Sequence, residues 1–188
     1  MGEQAICVAS ANVTAPELAA ALEHLTSDLA EALPVYARIA GTEAPTLARS
    51  RTGADVARAG TVLLALALED GAPPLEGPPA SWAPAGARVY ALVTTAGDPQ
   101  LAAAALADLR ELCELRGQAW MGGLAVGDAA TVARFSRGPR MGWARRRVSE
   151  ALDQLAWALL AGAPCNERLV RPSLAARLAA HVLPSQRA

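Results

Sequence analysis

RVYALVTTAGDPQ, residues 88–100, is the stretch on which the fold turns. Its first half, 88–93, is an apolar run that reads as a buried strand. Its end opens a helix. Asp98 is a preferred N-cap residue, and Pro99 falls at the first helical position, where a missing N–H is no loss. Only Thr94, Thr95, Ala96 and Gly97 lie between, all small enough for backbone to approach a bound molecule. The same residues also make an ordinary tight turn from strand to helix, and on this stretch alone that plainer reading is favoured. The helical pattern then runs over 99–116 and stops at Gly117, a C′ glycine.

Working outward, TVLLALAL (61–68) is apolar throughout, as a central parallel strand covered on both faces requires. QAICVAS (4–10) and QAWMGGLAV (118–126) read as further strands, and PVYARIA (34–40) as another. Adjacent Gly122 and Gly123 weaken a strand, so they mark a bulge or a close approach of ligand or helix. Leu18, Leu22, Leu25 and Leu29 set an amphipathic helix behind the first strand, with Thr14 and Glu17 spaced as a capping box. Residues 41–52 read as irregular, and 54–59 as one or two helical turns. Val148, Leu152, Leu155 and Leu159 mark a late helix, and 173–182 a last short one. Between 69 and 84 lie five of the 13 prolines, which excludes a regular helix there.

Strands alternating with helices imply right-handed crossovers and a parallel sheet with helices on both faces. The expectation is one α/β domain over 1–188, with five parallel strands in the order 2-1-3-4-5. At 188 residues, 53 % hydrophobic and 19 % charged, the chain can bury a sizeable core. No apolar run approaches the ~20 residues of a membrane span, and the N-terminus shows no signal-peptide pattern. Net charge is −1, and the 17 basic residues are all arginine, a poor balance for binding a phosphate backbone. Cys7, Cys113 and Cys165 are odd in number and far apart, so neither a disulfide framework nor structural zinc is expected. A cytoplasmic protein with no nucleic acid or membrane partner is the resulting expectation.

In an open parallel sheet, ligands bind beyond the carboxyl ends of strands where the strand order reverses. Segments 10–14, 68–73 and 94–98 converge there. Ser10, Asn12 and Thr14 can offer hydroxyl, amide and backbone donors to a phosphate at a helix N-terminus, or they only make the turn and cap the helix. Glu69 reads as part of a solvated loop. Arg137, Arg140, Arg145, Arg146 and Arg147 form the one charge cluster, read first as a solvated helix start, with an anion or acidic-partner site left open. Trp82 and Trp143 stand in irregular segments, where they can stack on a ring or simply pack. GxSxG, HExxH, Walker A and GxGxxG are all absent, so any chemistry must come from a cofactor.

RVYALVTTAGDPQ, the helix carrying Leu112 and Cys113, and QAWMGGLAVG resemble the fourth strand, following helix and fifth strand of the flavodoxin-like NAD(P)H-dependent FMN reductases. ADVARAGTVLL (54–64) is similar to that family's approach to its third strand. The resemblance is close over about 88–128 and loose elsewhere. It implies a flavodoxin-like three-layer sandwich, a homodimer and FMN. Ser10, Asn12 and Thr14 would take the phosphate, while Asp70, Gly71, Thr94, Thr95, Ala96 and Gly97 would flank the isoalloxazine ring. Hydride would pass from a nicotinamide nucleotide to flavin N5 and on to a quinone, flavin or other small acceptor. The first loop departs from the family in lacking a GSxR-like start. The third-strand loop, LEDGAPP, lacks an aromatic after proline. An FMN-dependent NAD(P)H oxidoreductase leads narrowly. The alternative is a flavodoxin-like domain that has lost FMN and acts as a non-catalytic interaction or regulatory protein.

Overall fold

A computed structural model describes residues 5–10, 15–49, 56, 58–69 and 83–182. In chain order the elements are β1 (Ala5–Ser10), α1 (Pro16–Ala40), β2 (Thr46–Arg49), β3 (Thr61–Leu68), β4 (Arg88–Thr95), α2 (Pro99–Leu115), β5 (Ala119–Val126), α3 (Ala129–Arg134), α4 (Arg146–Ala161), β6 (Arg168–Val170) and α5 (Leu174–Val182). The sheet has six strands in the order β2-β1-β3-β4-β5-β6, and every pairing is parallel. This is an α/β parallel sheet flanked by helices, consistent with a flavodoxin-like fold. The expected reversal between β1 and β3 is present. The expected count of five is corrected to six, because β6 adds to the free edge of β5.

Residue alternation along the central strands sorts the core into two layers. Leu63, Ala65, Tyr90 and Leu92 face α1, α3 and α4, while Val62, Leu64, Leu66, Val89, Ala91 and Val93 face α2. Asp98 caps α2 as its sequence demands, its Oδ1 accepting from the Gln100 N–H at 2.9 Å. Gly117, at φ 66°, closes the other end.

The largest correction concerns residues 34–40, which form the last turns of α1 rather than a strand. Leu25, Leu29, Leu33 and Ala37 are all buried, so one helical stripe runs straight through Pro34. Burial along that stripe outweighs the one backbone hydrogen bond that proline removes. Val35 and Ile39, 52 % and 68 % exposed, supplied the false impression of a strand. The helix stops at Gly41, in the left-handed region, with Thr42 N–H donating to the Ala37 carbonyl and Gly41 N–H to the Arg38 carbonyl. That pairing is a Schellman end. The second strand lies instead within 46–49, a segment read as irregular because three of its four residues face solvent. Of the helical turns expected at 54–59, Val56, Arg58 and Ala59 are described; Val56 is buried and its carbonyl accepts from the Ala59 N–H. The late helices match their periodicity: Val148, Leu152, Leu155 and Leu159 are buried in α4.

Candidate functional site at the strand ends

Register places the strand ends that lead into the expected segments side by side. Ser10 pairs with Ala65, Leu68 with Thr95, and Thr94 with both Ala67 and Val126, so the carboxyl ends of β1, β3, β4 and β5 are neighbours. Ser10 is the last residue of β1. Asn12, Thr14, Asp70 and Gly71 lie outside the described residues, as does Trp82.

The turn after β4 is tightly closed. Thr95 Oγ1 donates to the Asp98 carbonyl at 2.9 Å, while the Asp98 side chain caps α2. Both Thr94 and Thr95 are fully buried, Gly97 is half-buried, and Ala96 alone of the four is exposed. Thr94 Oγ1 has no hydrogen-bond partner among the described residues. The turn is also pressed against the end of β5: a Cβ on Gly127 would stand 2.7 Å from Pro99 Cβ. Close packing between the β4 turn and the β5 end thus runs through Gly97, Pro99 and Gly127.

The start of α1 gives the sharpest correction. Thr14 of the expected capping box lies outside the described residues, and the N-cap position falls one residue later. Ala15 is the N-cap, extended at φ −76° and ψ 116°, with no side-chain cap of its own, and Pro16 is the first helical residue. The Ala15 N–H donates to Glu69 Oε1 at 3.1 Å. Glu69, read from the sequence as a solvated loop residue, thus reaches from the end of β3 to the start of α1. A carboxylate is well placed there, because helix N-termini carry partial positive charge and unpaired N–H groups. Fifty-four residues separate Glu69 from Ala15, so no local spacing announces the contact.

The arginine cluster divides: Arg137, Arg146 and Arg147 are exposed, as a solvated helix start expects, while Arg140 and Arg145 are engaged within the protein. Arg145 is 8 % exposed, pairs with the buried Asp28 of α1, and donates to the Ser136 and Gly138 carbonyls at 3.0 and 2.6 Å. Arg140 pairs with Asp153, while its carbonyl accepts from Ser149 Oγ at 2.7 Å. These cations hold the 135–145 loop onto α1 and α4 instead of awaiting an anion. His24 Nε2 lies 3.6 Å from the same Asp28 carboxylate. Burial lowers the His24 pKa below its ordinary 6.5, opposed by Asp28 and reinforced by Arg145. Trp143 is 60 % exposed and packs edge-on against Phe135, with centroids 5.7 Å apart.

Gly122 and Gly123 do what their adjacency suggested. The β4–β5 register shifts so that Val89 pairs with Trp120 and Tyr90 with Gly122, leaving Met121 as the extra residue of a bulge. Gly123 abuts Ala91 and Leu106, while Gly122 abuts Cys165. Among the described residues, no three His, Cys, Asp or Glu side chains cluster to hold a metal, and no helix is long and apolar enough to cross a membrane. Comparison of this chain with family models, curated proteins and solved structures finds no match.

Proposed function

We propose that this chain is a flavodoxin-like domain that no longer works through FMN and acts as a non-catalytic interaction protein. The observation carrying this reading is the Glu69 carboxylate bonded to the Ala15 N–H. In this fold the N-terminus of α1 is where a phosphate would be held, by the same N–H groups and the same dipole. An acidic side chain already engaged there repels a phosphate and competes for its donor. Arginine, which would favour the phosphate, is missing from 10–14.

The interaction surface in this reading is α5. Leu174, Leu178 and Val182 recur at intervals of four and are 62 %, 58 % and 82 % exposed, while Ala176 alone is buried. Such a stripe is what a helix shows when its apolar face awaits a partner. A second copy of this chain is the proposed partner. The alanine-rich faces of α2 and α4 bury Ala102, Ala105, Ala151 and Ala156 within the fold, which leaves α5 the better surface.

The FMN-dependent oxidoreductase remains the second reading, favoured by one observation: the carboxyl ends of β1, β3 and β4 converge at the reversal of strand order. In that reading Ser10, Asn12 and Thr14 hold the phosphate, and Asp70, Gly71 and residues 94–97 flank the ring. A visible spectrum and a thermal-shift titration with FMN and riboflavin decide between the two. Colourless protein indifferent to both flavins is expected. Yellow protein, or stabilisation by FMN beyond riboflavin, overturns the first reading.

A further inference from the structure

We infer that a cavity between α4 and residues 163–168 binds a small carboxylate with a flat apolar body. The cavity measures about 430 Å³, within the range of small-molecule sites. It shares no described residue with the strand-end site, so the inference stands apart from the flavin question.

Three contacts anchor the floor. Tyr90 is buried, and its hydroxyl lies 3.1 Å from the Ala158 carbonyl and 2.9 Å from that of Ala163, tying the end of α4 to the segment that follows it. The Cys165 N–H donates to the Met121 carbonyl at 2.7 Å, inside the β5 bulge. Gly122, at φ 99°, admits this contact because any Cβ there would sit 2.1 Å from the Cys165 oxygen. The space between these anchored walls is preformed, which removes part of the ordering cost of binding.

The lining chemistry selects the ligand. Leu124, Leu155, Ala158, Ala161 and the Trp157 ring make the walls apolar. Trp157 is 39 % exposed and is held by Tyr36, with ring centroids 4.9 Å apart, so a flat ring has a surface to lie on. Arg168 is the one charged side chain among the described lining residues, and its partner there is the neutral Gln154 Oε1. The adjacent acid, Glu167, is turned away, engaged by Arg110 Nη1 at 3.0 Å and Trp120 Nε1 at 2.9 Å. Arg168 therefore carries a charge that no carboxylate among the described residues neutralises in the cavity. A planar guanidinium beside apolar walls matches a carboxylate on an apolar body, and one cation without a nest of amides suits a monoanion better than a phosphate. Burial raises the Cys165 thiol, which keeps a competing thiolate out of the site.

The test uses 2-naphthoate and its neutral isostere 2-naphthamide, followed by the indole N–H signals of the ¹⁵N-labelled full chain, with Trp157→Phe to assign the signal of Trp157. The acid should shift the Trp157 signal and saturate below about 1 mM, and the amide should bind at least about tenfold more weakly. Arg168→Gln should bring the acid down to the level of the amide, and Ala161→Leu should abolish both shifts. Equal binding of acid and amide by the unaltered chain overturns the inference without any variant. So does an unshifted Trp157 at about 10 mM ligand. Dilution that moves the same signals with no ligand present would mean that a second copy fills the cavity, and that also overturns it.

Discussion

Met121 and Gly122 are sequence neighbours that face the same side of β5, and the bulge they make sets the requirements at both positions. A side chain at 122 would need φ near 99°, outside the left-handed basin that non-glycine residues occasionally use, and would meet the Cys165 carbonyl. Gly122→Ala should therefore cost roughly 3 kcal/mol or more, since strain and steric clash add. Urea unfolding measures it, and a loss below roughly 1 kcal/mol would show that residues 163–166 can move aside. His24 gives a pH-dependent counterpart. Its pKa is lowered in the folded chain by burial, with Asp28, Glu31 and Arg145 acting on it, so the unfolded chain takes up the proton first as pH falls below 6.5. Stability from the neutral ring is complete above that value and declines as pH drops toward the lowered folded pKa. His24→Gln should remove part of the loss in melting temperature between about pH 7.5 and about pH 5.5. An unchanged pH slope in the variant would assign the loss to other groups.

At the scale of elements, α1 carries the heaviest load. Its middle is tied to the loop before α4 by Asp28 and Arg145, both nearly buried. Arg145→Ala leaves a buried carboxylate without its cation and should cost about 3–5 kcal/mol. Replacing both partners by leucine should cost much less, because no charge is then stranded. A double-mutant cycle in urea measures this coupling, and additive losses would refute it. Little of it was legible in the sequence, since Asp28 and Arg145 lie 117 residues apart. Elements whose signals are local were legible: Asp98 with Pro99 at the start of α2, the unbroken apolar run of β3, the leucine stripe of α1 and that of α4. The misread elements are those where tertiary burial overrides a local cue. Pro34 and the exposed Val35 and Ile39 masked the end of α1. The four residues of β2 and three of β6 are too few to show a period of two. At the strand ends, topology made neighbours of the carboxyl ends of β1, β3 and β4 as expected, but the Glu69 contact to Ala15 depends on chain pairing that no short motif records.

For the whole molecule, the proposed function makes two commitments. The first is indifference to FMN. If the Glu69 carboxylate is what repels a phosphate, Glu69→Gln should leave the fold intact while the protein stays colourless or gains only weak affinity, because the first loop still lacks an arginine. Strong FMN binding by that variant would reveal a flavin site held shut by a single charge. The second is self-association through α5. Light scattering at micromolar concentration should report a dimer, and Leu178→Glu a monomer whose melting temperature is little changed, since Leu178 is 58 % exposed in the single chain. A monomeric parent chain removes that commitment.

The sixth strand carries a consequence of another kind. Without β6, the eight-residue β5 would present unpaired backbone along Leu124, Ala125 and Val126, a template on which further chains could stack into fibres. With it, the sheet ends in three residues that begin with Arg168 and are followed by Arg171, and at its opposite margin in the four residues of β2, too little backbone on either side to recruit another strand. Leu169→Pro, which disrupts this guard strand, should therefore turn clear solutions turbid and thioflavin-positive on prolonged warming well before the parent chain does.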